Sequence, residues 1–310
     1  MVDVLHARRA AGGRPLERDD GARVALIVEG GGMRGVVSAA MAGILEREGL
    51  TDALDLVVGT SAGALNGAAL VAGVAQECCE AYWTAFCSRR FINLARLAIG
   101  RPAIDVAWTL DYASERLDAD RHRRTLSSPI ELHCVAVDVE TCAAVDLTGM
   151  STRETLYSAL LASSRLPYVG GDPVEHEGRR YLDGGLVDPI PLGPALAAGA
   201  THVLVLQTRP VGVPRSSPGE LADRLIVRRL RSLNPGLVEL YRARIAEYER
   251  ITADLAARAA AGDGPPWVQV IRPPRGAPSV SQLERDAAAL EAAAVAARTC
   301  AEAALDGGGP

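Results

Sequence analysis

The sequence predicts an α/β protein built on a mostly parallel sheet. Val24-Ala25-Leu26-Ile27-Val28 and Leu54 to Val58 are short, apolar and rich in β-branched residues, as strands covered on both faces must be. Between them Val37, Met41, Ile44 and Leu45 recur at three- and four-residue spacing, which predicts a helix from about Arg34 to Glu48 closed by Gly49. Strand, helix and strand in this order make a βαβ unit, whose crossover is right-handed.

The remaining elements follow in order. Residues 1–22 mix Gly, Arg, Asp and Pro without period and predict a mobile leader; they hold no apolar core of a secretory signal. Val71 to about Leu126 reads as mostly helical. Ile130 to Val139 and Ala143 to Leu147 read as a hairpin, Thr152 to Ser163 as a helix, and Asp172 to Leu182 as a second hairpin turning at Glu177-Gly178. His202 to Gln207 is a further buried strand. Two Arg-rich surface helices are expected between Pro218 and Ala261, broken at Asn234-Pro235-Gly236. Val268 to Ile271 gives a last strand, Ser281 to Leu305 an Ala-rich helix, and Asp306 to Pro310 a frayed tail. No linker separates domains, and no internal repeat is visible.

Composition narrows the functions. Of 310 residues 48% are hydrophobic and 23% charged, which is globular, and only 4% are aromatic, so the core is aliphatic. The net charge of −5 offers no bulk attraction to nucleic acid. Lys is absent, which excludes Schiff-base chemistry. Six Cys, at positions 78, 79, 87, 134, 142 and 300, lack metal-site spacing and predict free thiols in a reducing cytoplasm. The uncharged run from Leu56 to Gln76 is long enough for a bilayer span. It divides instead into a strand end, a glycine-rich turn and a helix, Ala64 to Ala75, whose small residues suit packing within protein.

Two glycine turns follow the first two strands. Gly30-Gly31-Gly32-Met33-Arg34-Gly35 satisfies the dinucleotide pattern, but that pattern needs an acidic residue at the end of the next strand. The next strand ends instead in Gly59-Thr60-Ser61-Ala62-Gly63, a G-x-S-x-G nucleophile elbow in the required strand-turn-helix context. Its glycines permit a sharp turn that exposes Ser61 at a helix N-terminus, where unpaired N–H groups meet developing negative charge. If the two strands are neighbours, the amides of Gly31, Gly32 and Met33 open on the same crevice, with Arg34 anchoring the loop or attracting an anionic head group.

Ser61 needs a base. Of the five His, His6 lies in the leader, His122 in an Arg cluster, His133 in an apolar strand and His176 on a hairpin. Only His202 follows a candidate Asp in the order Ser, Asp, His, yet it begins a strand where a catalytic His would sit on a loop. The other candidate is Asp183, in Tyr181-Leu182-Asp183-Gly184-Gly185, where an apolar stretch ends at a carboxylate followed by two glycines.

The ordered set Gly30 to Gly35, Gly59 to Gly63 and Asp183-Gly184-Gly185, with Ala162-Ser163-Ser164-Arg165-Leu166-Pro167 and Leu186-Val187-Asp188-Pro189-Ile190-Pro191, resembles the patatin-like phospholipase family over about residues 23–207. Arg165 and Asp188 depart from its usual small or amide residues. The resemblance implies a three-layer sandwich, with a central mostly parallel sheet flanked by helices and a helical C-terminal region (208–310) packed on the same domain. It also implies a serine acyl hydrolase of fatty-acyl esters: Ser61 the nucleophile, Asp183 its sole partner, Gly30, Gly31, Gly32 and Met33 the oxyanion loop, and Arg34, Ala62 and Gly184 at the substrate. No cofactor or metal is implied, and the partner is a lipid or acyl ester. The Arg-rich helix Leu221 to Leu233 could rest transiently on an anionic membrane. The alternatives are a His-assisted hydrolase or acyltransferase, and a non-catalytic lipid-binding protein of the same fold.

Overall fold

The computed structural model describes residues 1–15, 17–116, 124–215, 218–262 and 264–306. Among these, eight strands form one sheet: β1 (Val24–Val28), β2 (Leu56–Thr60), β3 (Glu131–Asp138), β4 (Ala144–Leu147), β5 (Val174–His176), β6 (Arg179–Asp183), β7 (His202–Leu206) and β8 (Trp267–Ile271). They bond in the order β5-β6-β3-β2-β1-β7-β8, with β4 also on β3. β1, β2, β3, β7 and β8 are parallel, while β4 and β6 run antiparallel to β3. The two glycine turns therefore do follow adjacent parallel strands.

The register around β3 positions the site. Val135 pairs with Thr60 of β2 and with Asp146 of β4, so β2 and β4 lie on opposite edges of β3. Ala136 pairs with Val145 of β4 and with Asp183 of β6, so β6 shares the edge used by β2. β2 and β6 consequently meet end to end on one edge, running in opposite directions. Ser61 leaves the end of the first, and Asp183 ends the second.

Helices cover both faces: α1 (Val2–Ala11), α2 (Val36–Arg47), α3 (Ala62–Val71), α4 (Ala75–Ala81), α5 (Val106–Arg116), α6 (Arg153–Ser163), α7 (Leu192–Ala197), α8 (Glu220–Leu233), α9 (Gly236–Ala261) and α10 (Ala287–Leu305). Alternation along β1 divides the core. Val24, Leu26 and Val28 pack with Val37, Met41 and Leu45 of α2 and Leu290 and Ala294 of α10. Ala25 and Ile27 face the other way, onto Leu192 and Ala195 of α7 and Tyr248, Ile251 and Leu255 of α9. The protein is thus the expected three-layer α/β sandwich. Thr152 caps α6 in a capping box, and Asp286 caps α10 through the amides of Ala288 and Ala289.

Several expectations change. Residues 2–11, expected to be mobile, form α1, which docks on the domain through Leu5 and Arg8. Its guanidinium donates to Asp55 Oδ2 at 2.7 Å, to Asp20 Oδ2 at 2.7 Å and to the carbonyls of Ala53 and Ala22, while Leu5 is fully buried. Asp55 in turn accepts the Val24 amide at the start of β1. Between Val71 and Leu126 the chain is less helical than expected: past a π-turn at Tyr82–Phe86 it is irregular until Val106 apart from a 3-10 turn, Leu94–Ile99. The helix expected from Ser281 begins only at Ala287. In helix α8 Leu230 is buried, with Ile226, Val227 and Leu233 packed beside Leu186 and Tyr241, while Leu221 near its start stays exposed. No described helix is long and apolar enough to cross one. His122 and the tail from residue 307 lie outside the described residues.

Breaking a buried ion pair leaves its partner charge stranded, which typically costs several kcal/mol. Here Arg18 keeps a 3.1 Å pair with Asp55 and Asp20 is partly exposed, so Arg8→Ala is expected to lower stability by about 1–2 kcal/mol, read as a shift of the denaturant midpoint. An unchanged midpoint would contradict the docked position of α1.

Candidate active site

Ser61 stands at the N-cap of α3 with φ 59° and ψ −131°, a conformation that costs a non-glycine residue about 1–3 kcal/mol. The flanking glycines make the turn sterically feasible: a Cβ on Gly63 would lie 2.0 Å from the Val28 carbonyl oxygen, and one on Gly59 2.5 Å from the Ala64 nitrogen. The Ser61 amide donates to Ser163 Oγ at 3.0 Å, and Ser163 Oγ donates to the Val135 carbonyl at 2.7 Å. Through Ser163, α6 and β3 hold the strained residue in place.

The head-on meeting of β2 and β6 brings Ser61 Oγ to Asp183 Oδ2, at 2.6 Å. Asp183 Oδ1 accepts the Gly185 amide at 2.8 Å, and its own amide donates to the Arg165 carbonyl at 2.9 Å. Only 2% of Asp183 and 7% of Ser61 are exposed. Burial pushes the Asp183 carboxyl up to about 6, against the opposing pull of its bonds from Ser61 and Gly185 and the positive charge of Arg215. A carboxylate so placed is more basic than an exposed one and aims at one hydroxyl.

The glycine loop lies beside this pair. A Cβ on Gly30 would sit 2.9 Å from Ser61 Cβ and 3.2 Å from the Ala62 nitrogen. Gly31 has a φ of 145°, which suits glycine, and Gly32, at φ 59°, has no room for a side chain, since a Cβ would lie 2.6 Å from the Gln282 carbonyl oxygen. The four loop residues do not act alike, however. The Met33 amide donates to the Gln282 carbonyl at 3.0 Å, because the irregular segment ahead of α10 lies over the loop. Arg34 is buried behind it: Nε donates to Thr208 Oγ1 at 3.3 Å, and that hydroxyl donates to the Gly30 carbonyl. Burial, reinforced by Arg209, lowers the Arg34 guanidinium to about 10. Arg34 thus sits behind the loop, linked to the Gly30 carbonyl through Thr208.

Ser61 and Ala62 border an apolar cavity of about 200 Å³, which Gly32 and Met33 also line and Arg34 does not. Gly184 packs against β3 instead, where a Cβ would lie 2.3 Å from the Val135 carbonyl oxygen. Arg165 and Asp188 are also outside the lining; the Thr60 hydroxyl bonds the Asp188 carbonyl, and the Arg165 guanidinium bonds that of Gly170. The far wall is aromatic. Phe86 packs within 6.0 Å, centroid to centroid, of Tyr82, Phe91, Trp108 and Tyr112. The sequence carries a signal for this wall that the motifs do not use: both Phe and two of the three Trp lie between positions 82 and 112. Ser163 stands in the Ala162 to Pro167 motif, but nothing there marks it as the partner of the Ser61 amide.

The described His are engaged elsewhere. His6 bonds the Leu305 carbonyl, His133 bonds Asp146, His176 bonds Ser158, and His202 stacks on Trp267 at the opposite end of the sheet strands from Ser61.

A doubly covered, mostly parallel sheet with a serine at a strand-to-helix turn and a carboxylate on its hydroxyl defines a class of α/β proteins with an acyl-hydrolase architecture. The chain belongs to the patatin-like phospholipase family, whose model matches residues 26–196. It is 31% identical to the uncharacterized protein YjjU of Escherichia coli (strain K12) over 195 residues, 61% of this chain and 52% of that protein. It is 30% identical over 217 residues, 68% of this chain and 56% of the relative, to uncharacterized NTE family proteins of Mycobacterium bovis and Mycobacterium tuberculosis. The chain spans about half the length of these relatives.

Because the Asp183 carboxyl is raised in the folded state, its burial favours folding below the ordinary value of 3.8, and that contribution is lost as the pH rises through about 6. Asp183→Asn is therefore expected to be more stable than the parent above pH 7, by up to about 3 kcal/mol. Thermal unfolding across pH 4 to 8 checks this, and a variant less stable at every pH would contradict it.

Proposed function

We propose that the protein is a serine acyl hydrolase that cleaves fatty-acyl esters through a Ser61–Asp183 dyad. The observation that carries this is the 2.6 Å bond between the Ser61 hydroxyl and the buried Asp183 carboxylate at the edge of an apolar cavity. Family membership supports the lipid-directed part.

Asp183 Oδ2 takes the Ser61 proton as Ser61 Oγ attacks the ester carbonyl. The oxyanion so formed takes hydrogen bonds from the amides of Gly31 and Gly32 and from Ala62 at the positive end of α3, while the Met33 amide keeps its bond to Gln282. Collapse breaks the bond to the alcohol, which leaves with the proton from Asp183. Water then gives its proton to Asp183 and attacks the acyl-enzyme; the proton returns to Ser61 Oγ as the fatty acid departs. The cavity takes the acyl chain, each buried methylene contributing about 0.8 kcal/mol.

A fluorophosphonate probe is expected to label the parent chain on Ser61 and to leave Ser61→Ala unlabelled. Asp183→Asn should slow turnover of a short soluble ester by about a thousandfold or more, His202→Ala should leave it near normal, and EDTA should not change it. An unlabelled parent chain would favour a lipid-binding protein without catalysis, and a dead His202→Ala would favour a His-assisted mechanism.

A further inference from the structure

The segment from Ser88 to Ile104 has two sides. Phe91, Ile92 and Ile104 line the cavity, with Ile92 and Ile104 bridged to each other. The outer side is the 3-10 turn Leu94–Ile99, none of whose residues is buried; Leu94 is 54% and Ile99 70% exposed. The segment carries Arg89, Arg90, Arg96 and Arg101 and no acidic residue, in a chain whose net charge is −5. It is also held in shape. The Asn93 side chain caps the turn through the Ala95 amide, Arg96 bonds the Arg90 carbonyl at 3.0 Å, and Arg90 pairs with Asp105 at 3.1 Å. That leaves Arg89 and Arg101 as exposed charges flanking two exposed aliphatic side chains.

Such a combination suits the boundary of an anionic bilayer, where aliphatic side chains enter the acyl region and guanidinium groups meet phosphate. Helix α8 is a weaker candidate: Leu221 is its one large aliphatic side chain that stands exposed, Leu230, Ile226, Val227 and Leu233 pack inward, Arg224 pairs with Glu220, and Arg229 pairs with Asp172. We propose that residues 88–104 are the surface on which the protein rests on an anionic phospholipid bilayer. Leu94 and Ile99 are its inserted contacts and Arg89 and Arg101 its phosphate contacts, so that the wall containing Phe91 and Ile92 faces the lipid. The choice of a bilayer as occupant rests on the acyl-hydrolase reading; the charge pattern and the exposed aliphatic pair do not.

The test uses the full chain carrying Ser61→Ala, which cannot consume the vesicles, in co-sedimentation with phosphatidylcholine vesicles with and without phosphatidylglycerol. Binding is expected only with phosphatidylglycerol, to weaken in high salt, and to fall about tenfold or more on Leu94→Asp with Ile99→Asp or on Arg89→Glu with Arg101→Glu. Leu221→Asp in α8 should leave it unchanged. The same changes in the active chain should keep turnover of a short soluble ester, which also shows that the variants fold. Absence of vesicle binding, or binding that Leu94→Asp with Ile99→Asp does not weaken, overturns the proposal, the latter pointing to charge alone or to a different face. Those results leave the hydrolase reading standing if soluble ester is still turned over. Segment-dependent vesicle binding by a chain that turns over no ester would uphold the surface and overturn the hydrolase reading.

Discussion

Everything at the site depends on the sharing of one edge of β3 by two strands that meet head-on. Because Thr60 pairs with Val135 and Asp183 with Ala136, the ends of β2 and β6 are one residue apart along β3. The hydroxyl and the carboxylate that leave those ends have little freedom except to meet. A hydrogen-bonded ladder is a rigid support, so the 2.6 Å contact is set by backbone register and not by flexible loops. The cost appears as a positive φ at Ser61 and a carboxyl buried without a neutralising partner of its own. Both are tolerated because the surroundings over-determine them: Ser163 grips the Ser61 amide, Gly185 bonds the carboxylate, and Gly184 lets the turn lie on Val135.

Electrostatics and packing divide the labour around this junction. On one side lie two arginines: buried Arg34, linked behind the glycine loop through Thr208, and half-buried Arg215, which bonds the Gly185 carbonyl and lends positive charge to Asp183. On the other lies the apolar cavity with its aromatic wall. The charged groups and the apolar cavity thus lie within a few residues of each other, the separation that the proposed acyl transfer would use.

What could be read from the sequence was what depends on local chemistry. The strand Val24–Val28 announces itself by a β-branched run; the second strand, expected at Leu54 to Val58, forms two residues later at Leu56–Thr60. The Ser61 turn is marked by its glycines and the hairpin at Glu177-Gly178 by its turn residues, both of positive φ. The two glycines after Asp183 mark it in the sequence, and its pairing with Ser61 is implied by the resemblance that the ordered motifs carry. What depends on distant partners was hidden. Nothing near Arg8 reveals that Asp20, Asp55 and two carbonyls await it, so α1 read as a mobile leader. Nothing near Met33 reveals that a carbonyl some 250 positions later covers its amide. Arg34 reads equally well as a ligand or an anchor until Thr208 is brought beneath the loop. Arg-rich α8 reads as amphipathic in isolation, and only the folded chain shows that Ile226, Val227, Leu230 and Leu233 pack inward while Leu221 does not.

The claim that Asp183 is the base for Ser61 is tested most directly by the pH dependence of the acylation step, followed in a stopped-flow burst with a chromogenic short-chain ester. The burst rate should rise with pH through a single ionisation near 6, the value to which burial lifts the carboxyl. The same profile should persist in His202→Ala, and the ionisation should vanish in Asp183→Asn along with most of the rate. A profile that keeps its ionisation when Asp183 is replaced, or loses it when a histidine is replaced, would contradict the account.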